Sequence, residues 1–288
     1  MYSDGLLERY LSVLGLPDPD GACVRRGQFH DVVLLGNVAY RFPRDEASRR
    51  ALPARVMLLD ALAAAAGSEL SAALIPRLLA GPDMSQPVGR CHVALRRLPG
   101  RELDRDEAGS PDVLTELAQV LDALGEMGGQ PDIRAAVPPA DPRSWERFAD
   151  DVGRVLFPLM SDSGQQRAAT ELAAVQTVDP AGDALVHGDL GATNLLWACA
   201  APRFRLTGIL DWDEAHLGSQ AEDLASLATM LGWPLAGQLD RQRHGGRCPM
   251  IADARIIETT FALQQALPAA LSGDAEALAA GLTRYTAT

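Results

Sequence analysis

Residues 185–213 read LVHGDLGATNLLWACAAPRFRLTGILDWD, and the rest of the chain is organised around them. Asp189 follows His187-Gly188, Asn194 lies five residues later, and Asp211 closes the apolar run Gly208-Ile209-Leu210 ahead of Trp212-Asp213. Asn194 to Trp197 and Arg205 to Leu210 have the composition of two short strands around a weakly structured turn, which predicts a hairpin. Such a hairpin sets Asn194 and Asp211 side by side at its open end, with Asp189 in the loop just before it. Phosphoryl transfer from a nucleotide calls for these groups. One carboxylate orients the acceptor hydroxyl and takes its proton; an amide oxygen and a second carboxylate hold the magnesium that screens the phosphates. The plainer alternative makes each residue a polar turn of an ordinary α/β domain.

HGDLGATN together with ILDWD, with 22 residues from the first Asp to Asp211, is similar to the motif pair of the aminoglycoside phosphotransferase superfamily. The resemblance implies an α+β, bilobal, protein-kinase-like fold: an N-lobe with a five-stranded antiparallel sheet and a helix, then a mainly helical C-lobe. It implies ATP or GTP and Mg2+ as cofactors, with the nucleotide between the lobes. Carried over residue by residue, Asp189 is the catalytic base, and Asn194 and Asp211 are the metal ligands. His187 supports the loop from behind, and Asp223, in Ala221-Glu222-Asp223-Leu224-Ala225, holds that loop's backbone. Gly27-Gln28 belongs to a loop that would fold over the phosphates. Leu95, Arg96 and Leu98 fit the hinge, where backbone groups of Arg96 and Leu98 would bond the base edge and Leu95 would pack beside it. One departure stands out. The chain contains no lysine, and Arg41 occupies the position where the family places a phosphate-pairing lysine. An arginine can still grip phosphate, in fork geometry. The family's helix acid falls on Arg55, and an Arg–Arg pair would repel, so the usual lysine–acid ion pair is expected to be missing.

Working outward, Leu6, Leu7, Tyr10, Leu11 and Leu14 recur at helical spacing, and Gly15 and Pro17 end that helix. Residues 22–42 alternate strand-like runs with turns, and Gly36-Asn37 predicts a hairpin. A helix is expected over about 47–66, interrupted or started at Pro53, followed by strands over 74–79 and 91–98. Beyond Pro99-Gly100 the pattern becomes helical: 113–124, 143–160, 164–178, 221–231, 251–271 and 275–285. The Pro-rich segment 136–142 reads as a loop. The expected division is therefore 1–98 as a nucleotide-binding N-lobe and 99–288 as a C-lobe carrying the catalytic loop, metal and substrate contacts.

The chain of 288 residues, 47% hydrophobic, has enough apolar material for a large core. Its apolar runs fall short of the ~20 residues of a membrane span. The start MYSDGLLERY has no basic or apolar signal features, so a cytoplasmic location is expected. Cys23, Cys91, Cys199 and Cys248 have neither metal nor disulfide spacing and read as buried free thiols. His30, His92, His216 and His244 lack metal-like pairing and read as ordinary surface or core residues. A net charge of −12 disfavours nucleic acid and favours a cationic partner.

Four further segments narrow the resemblance. Gly27-Gln28-Phe29-His30, residues 157–162, the HGDLG turn and residues 260–267 look like the branch of the family that phosphorylates a serine hydroxyl of tuberactinomycins, the cationic cyclic peptide antibiotics viomycin and capreomycin. The resemblance implies such an antibiotic as the partner, with Asp213, Glu214 and Glu222 as candidate acids for it; Asp213 reads equally as a contact to a second metal shell or as a turn cap, and the oligomeric state is open, a monomer being favoured. Two alternatives stay open: a kinase of an aminoglycoside, a macrolide or a small metabolite, and a pseudokinase that binds nucleotide and serves as an interaction module.

Overall fold

The structure, a computed structural model, describes residues 3–16, 21–27, 29–65, 70–139, 141–200 and 203–286. It divides into two compact units, Met1–Ala123 with Gln130–Val137 and Ala192–Asp213, and Leu124–Gly129 with Pro138–Gly191 and Glu214–Thr288.

The first unit is built on a five-stranded antiparallel sheet in the order β1-β2-β3-β5-β4: β1 (Cys23–Arg26), β2 (His30–Leu35), β3 (Val38–Pro43), β4 (Leu78–Ala80) and β5 (Val93–Arg96). β2 and β3 pair from Leu35↔Val38 outward across Gly36-Asn37. Gly36 sits at φ +54°, a left-handed value that this tight turn requires and glycine adopts without penalty. The predicted N-terminal helix is α1 (Ser3–Leu14), and its apolar stripe covers the sheet. Tyr10 stacks on Phe42 at 4.2 Å and donates its hydroxyl to Asp31 Oδ2 at 2.7 Å, so its polar end is satisfied where it is buried. α2 (Glu46–Ala65) is capped by Asp45, which accepts the Ser48 N–H at 2.7 Å, and it runs through Pro53 without a break. The strand expected over 74–79 is shorter: a 3-10 turn, Ala72–Leu74, precedes β4.

The predicted functional hairpin is β7 (Leu195–Ala200) with β8 (Arg203–Ile209), and it clusters with this first unit. The cause is local. Arg101 forms a bridge to Trp197, and the Thr207 hydroxyl donates to the carbonyls of Pro99 at 2.6 Å and Leu196 at 3.0 Å. The compact units therefore do not divide at the expected boundary of 98/99. The chain leaving β5 is stitched to the hairpin, and α3 (Pro111–Met127) belongs to the first unit as far as Ala123. A short α4 (Pro131–Ala136), just before the segment read as a Pro-rich loop, lies in the first unit as well.

The second unit is mainly helical: α5 (Ser144–Val155), α6 (Asp162–Val175), α7 (Ala221–Leu231), α8 (Trp233–Arg243), α9 (Ile251–Thr259), α10 (Phe261–Ser272) and α11 (Ala275–Thr286). The helix expected over 251–271 is divided at Thr260, and the one over 143–160 stops at Val155 and gives way to a 3-10 turn, Phe157–Leu159. A core of Val152, Leu156, Leu172, Leu263 and Leu282 joins α5, α6, α10 and α11. Two three-residue strands, β6 (Ala184–Val186) and β9 (His216–Gly218), pair antiparallel and flank the HGD loop. Of the thiols, Cys91 is buried as expected, whereas Cys23, Cys199 and Cys248 are exposed. Among the described residues no helix is long and apolar enough to cross a membrane.

Gly100 holds the stitch between β5 and the hairpin. Its φ is +117°, and a Cβ there would come within 2.9 Å of the Trp197 amide nitrogen. Gly100→Ala is expected to lower unfolding free energy by about 3 kcal/mol through backbone strain and overpacking. Urea denaturation measures this; an unchanged midpoint would refute it.

Candidate active site

In the second unit, β6 delivers the chain into His187-Gly188-Asp189. The loop's shape is set through its backbone. Asp223, in the first turn of α7 and wholly buried, accepts the N–H of His187 at 2.9 Å on Oδ2 and that of Gly188 at 3.0 Å on Oδ1. Burial pushes the Asp223 carboxyl up to about 7, while its two backbone donors pull in the opposite direction. The Asp189 N–H donates to His187 Nδ1 at 3.2 Å, which leaves the proton of the neutral His187 ring on Nε2. Gly188 adopts φ +84°, and a Cβ on it would lie 2.7 Å from the Glu214 carbonyl. The outcome is an exposed Asp189 side chain on a main chain held from behind by buried groups.

In the first unit, β8 ends beside the start of β7. The Leu210 N–H donates to the Asn194 carbonyl at 2.8 Å, so Asn194 and the Asp211 segment lie together at the open end of the hairpin. Asp211 then turns at φ +57°, the one left-handed non-glycine among the described residues. Trp212 fixes the turn from below by burying its ring and donating Nε1–H to the Ile209 carbonyl at 3.1 Å. This strained conformation re-aims the chain, so that Asp211 keeps a side chain 49% exposed while Asp213 is buried.

Arg41, on β3, meets both acids. Its Nη1 and Nη2 donate to Asp213 Oδ1 and Oδ2 at 3.2 and 3.1 Å, and Nη2 also reaches Asp211 Oδ1 at 3.0 Å. Burial disfavours the guanidinium charge, but the carboxylates of Asp213 and Asp211 hold its pKa above the ordinary value. Asp213 is likewise held below the usual carboxylate range: burial opposes this, and Arg41 and Arg55 outweigh it. His30 Nδ1 lies 3.2 Å from Arg41 Nη2. Burial and the Arg41 charge push His30 down to about 4, so the ring is neutral near pH 7 and accepts from Arg41.

Several expectations change. Arg55 does not face Arg41 as an unrelieved like charge, because its Nε lies 3.8 Å from Asp213 Oδ1 and both arginines share that acid. Asp213 is consequently engaged within the protein and is not a free acid for a cationic substrate. Glu222 is engaged too: its Oε1 is 3.3 Å from His216 Nε2, while Glu214 is exposed and gives its carbonyl to His216 Nδ1 at 2.8 Å. The Arg96 N–H, expected at a base edge, is already donated to the Arg77 carbonyl at 2.8 Å. Leu95 is buried, and Leu98 lies under β8, where a Cβ on Gly208 would be 2.7 Å from its Cδ1. Gly27 makes a tight loop, donating N–H to the His30 carbonyl at 2.9 Å and accepting from Arg44 at 2.6 Å. Gln28 lies outside the described residues. His30 and His216, read as ordinary, are parts of these networks; no spacing in the chain marks either one.

The hard oxygen donors Asn194 and Asp211 fit a magnesium ion, which binds through one or two protein oxygens and retains waters. The half-exposed Asp211 carboxylate leaves room for both. No cluster of three His, Cys, Asp or Glu that could hold a metal occurs among the described residues.

A small-molecule kinase of the protein-kinase-like type is the class that this fold and these loops define. The chain belongs to the phosphotransferase enzyme family, which matches residues 24–257. Viomycin phosphotransferase from Streptomyces vinaceus is 39% identical over 271 residues, covering 92% of each chain. The fold is similar to that of aminoglycoside 2'-phosphotransferase-IIIa in its GDP complex, with a TM-score of 0.74 and 21% identity over 97% of this chain and 96% of that one. It is also similar to macrolide 2'-phosphotransferase type I, with a TM-score of 0.72 and 21% identity over 99% and 96%. The protein is an O-phosphotransferase of this family.

The His216–Glu222 bridge gives a pH test. Burial works against the charge on His216, but the Glu222 carboxylate pushes its pKa up to about 9 from an ordinary 6.5. A raised folded-state pKa adds stability that is complete below 6.5 and is lost as pH rises through about 9. Wild type should therefore melt a few degrees above His216→Gln at pH 6, with the gap closing by pH ~10. Asp223 titrates in both proteins and largely cancels. A gap that stays constant across the range would contradict the assignment.

Proposed function

We propose that the protein moves the γ-phosphate of ATP or GTP to a serine hydroxyl of a cationic cyclic peptide antibiotic, viomycin or capreomycin, and so confers resistance. The observation that carries the substrate is the 39% identity with viomycin phosphotransferase over 92% of both chains. The charge of −12 suits a polycationic acceptor.

The proposed step is an in-line displacement. Asp189 hydrogen-bonds the substrate hydroxyl and takes its proton as the oxygen–phosphorus bond forms; the bond from the γ-phosphorus to the β–γ bridging oxygen breaks, and the nucleoside diphosphate leaves. In a loose transition state most of the rate comes from alignment and charge neutralisation, which a base on a rigid loop supplies. The exposed Asp189 carboxylate, carried by a backbone pinned at Asp223 and His187, supports this role. Arg41 grips phosphate oxygens through its fork. Asn194 and Asp211 hold magnesium, which screens the phosphate charge when bound. Residues 1–98 supply the nucleotide contacts, including Gly27, Gln28, Leu95, Arg96 and Leu98, and residues 99–288 supply catalysis, metal and acceptor. Among Asp213, Glu214 and Glu222, Glu214 is the exposed acid and the one that meets the acceptor. The enzyme works in the cytoplasm, as a monomer.

A transfer assay with labelled ATP and GTP against viomycin, capreomycin, an aminoglycoside and a macrolide tests this reading. Transfer to the peptides is expected; transfer to another acceptor alone would overturn the substrate. Asp189→Ala should lower turnover by about 10²–10⁴-fold while nucleotide affinity changes little. Turnover equal to wild type would refute the base.

A further inference from the structure

Building on the phosphotransferase reading, we propose that Asp213 is the positioning residue for the phosphate-binding arginine. It sets the fork of Arg41, the task that a helix-borne acid performs for a lysine, and Arg55 anchors it from α2.

The two acids beside Arg41 are not equivalent. Asp213 takes both Nη1 and Nη2 in a parallel, bidentate contact, and its side chain is 11% exposed. Asp211 takes Nη2 alone and is 49% exposed. A bidentate carboxylate fixes the plane of the guanidinium, which a single contact does not. Nη2 is moreover oversubscribed: its two hydrogens face Asp211 Oδ1, Asp213 Oδ2 and His30 Nδ1, at 3.0, 3.1 and 3.2 Å. Losing Asp211 therefore leaves Nη2 with an acceptor for each hydrogen, whereas losing Asp213 breaks the fork. When a nucleotide phosphate and its cation engage Arg41 and Asp211, the Arg41–Asp211 contact is the one that opens, and Asp213 holds the guanidinium in place. The Nε–H and the second Nη1 hydrogen take no part in these contacts.

The helix explains why the acid comes from the end of the hairpin. α2 presents Arg55, with Nε 3.8 Å from Asp213 Oδ1, where an acid would be needed to pair with Arg41 directly. A shared carboxylate between two arginines restores the balance: Arg41 and Arg55 against Asp211 and Asp213. It ties β3 to a residue 172 positions further along the chain.

A double-mutant cycle tests the assignment. The affinity of a fluorescent ATP or GTP analogue in the presence of MgCl2 is measured for wild type, Arg41→Lys, Asp213→Asn and the double variant, with Arg55→Gln alongside. Asp213→Asn should weaken nucleotide binding by about 10- to 100-fold, as losing a charged hydrogen-bond partner does. The double variant should be no weaker than the weaker single variant, because both changes remove one contact. The KM for the peptide should not move, which a general loss of structure would not spare. If Asp213→Asn unfolds, Asp213→Glu and Arg55→Gln carry the test, with partial losses of nucleotide affinity expected. Wild-type affinity in Asp213→Asn, multiplicative losses in the cycle, or unaltered binding in both fallback variants would overturn the proposal. Absence of phosphate transfer by wild type would instead sink the parent reading, while the binding cycle would still report on Asp213.

Discussion

A guanidinium largely withdrawn from water and still charged is the constraint behind the first unit. Desolvating such an ion costs several kcal/mol, and the cost is offset only when good partners meet it. Arg41 is met on its Nη edge by Asp213 and Asp211, and each partner demands something of the chain. Asp211 must bend to φ +57°, and that bend is held by the buried Trp212 ring and its bond to the Ile209 carbonyl. The hairpin that ends in this bend is in turn stitched to the segment leaving β5 through Thr207, Trp197 and Gly100. The sheet, the hairpin and the two acids are thus one mechanical piece, and the ion network is its centre.

The HGD loop in the second unit follows a different logic. There the buried acid, Asp223, faces backbone N–H groups rather than a cation. Two backbone donors define the direction of the chain more tightly than a mobile side chain can. Asp189 is consequently carried by a main chain whose N–H is already donated to His187 Nδ1, and the residue is exposed. The two acids differ accordingly: Asp223 is buried and braces the loop, and Asp189 is exposed at its tip.

Much of this was legible in the chain. Five strands, the Gly36-Asn37 turn, the β7–β8 hairpin and most helices followed from local pattern, since each depends on periodicity or turn chemistry within a few residues. The strands β6 and β9, three residues each, are too short for a pattern to mark, and their pairing spans some thirty positions. The site divided in the same way. The HGD turn, Asn194 and Asp211 stand out in the chain because their spacing is itself a signal, and the hold of Asp223 on the loop backbone, which the family resemblance implies, is present. Arg55 stands where the family has an acid, as the pattern implies, but the carboxylate that relieves its repulsion with Arg41 lies at the end of the hairpin and leaves no mark near either arginine. The partners of Asp213 and Glu222, candidate acids for a cationic substrate, are equally invisible in the chain, because a charge's partner is a fact of tertiary structure. His30 carries no sequence mark at all, since burial beside Arg41 gives it its character.

Transfer of phosphate to an alcohol is the defining chemistry, and phosphorus NMR observes it most directly. Purified protein incubated with ATP or GTP, MgCl2 and viomycin should produce a phosphomonoester resonance on the peptide, coupled to a serine methylene, as the nucleoside diphosphate accumulates. Nucleoside diphosphate appearing with orthophosphate alone, or no consumption of nucleotide, would contradict it.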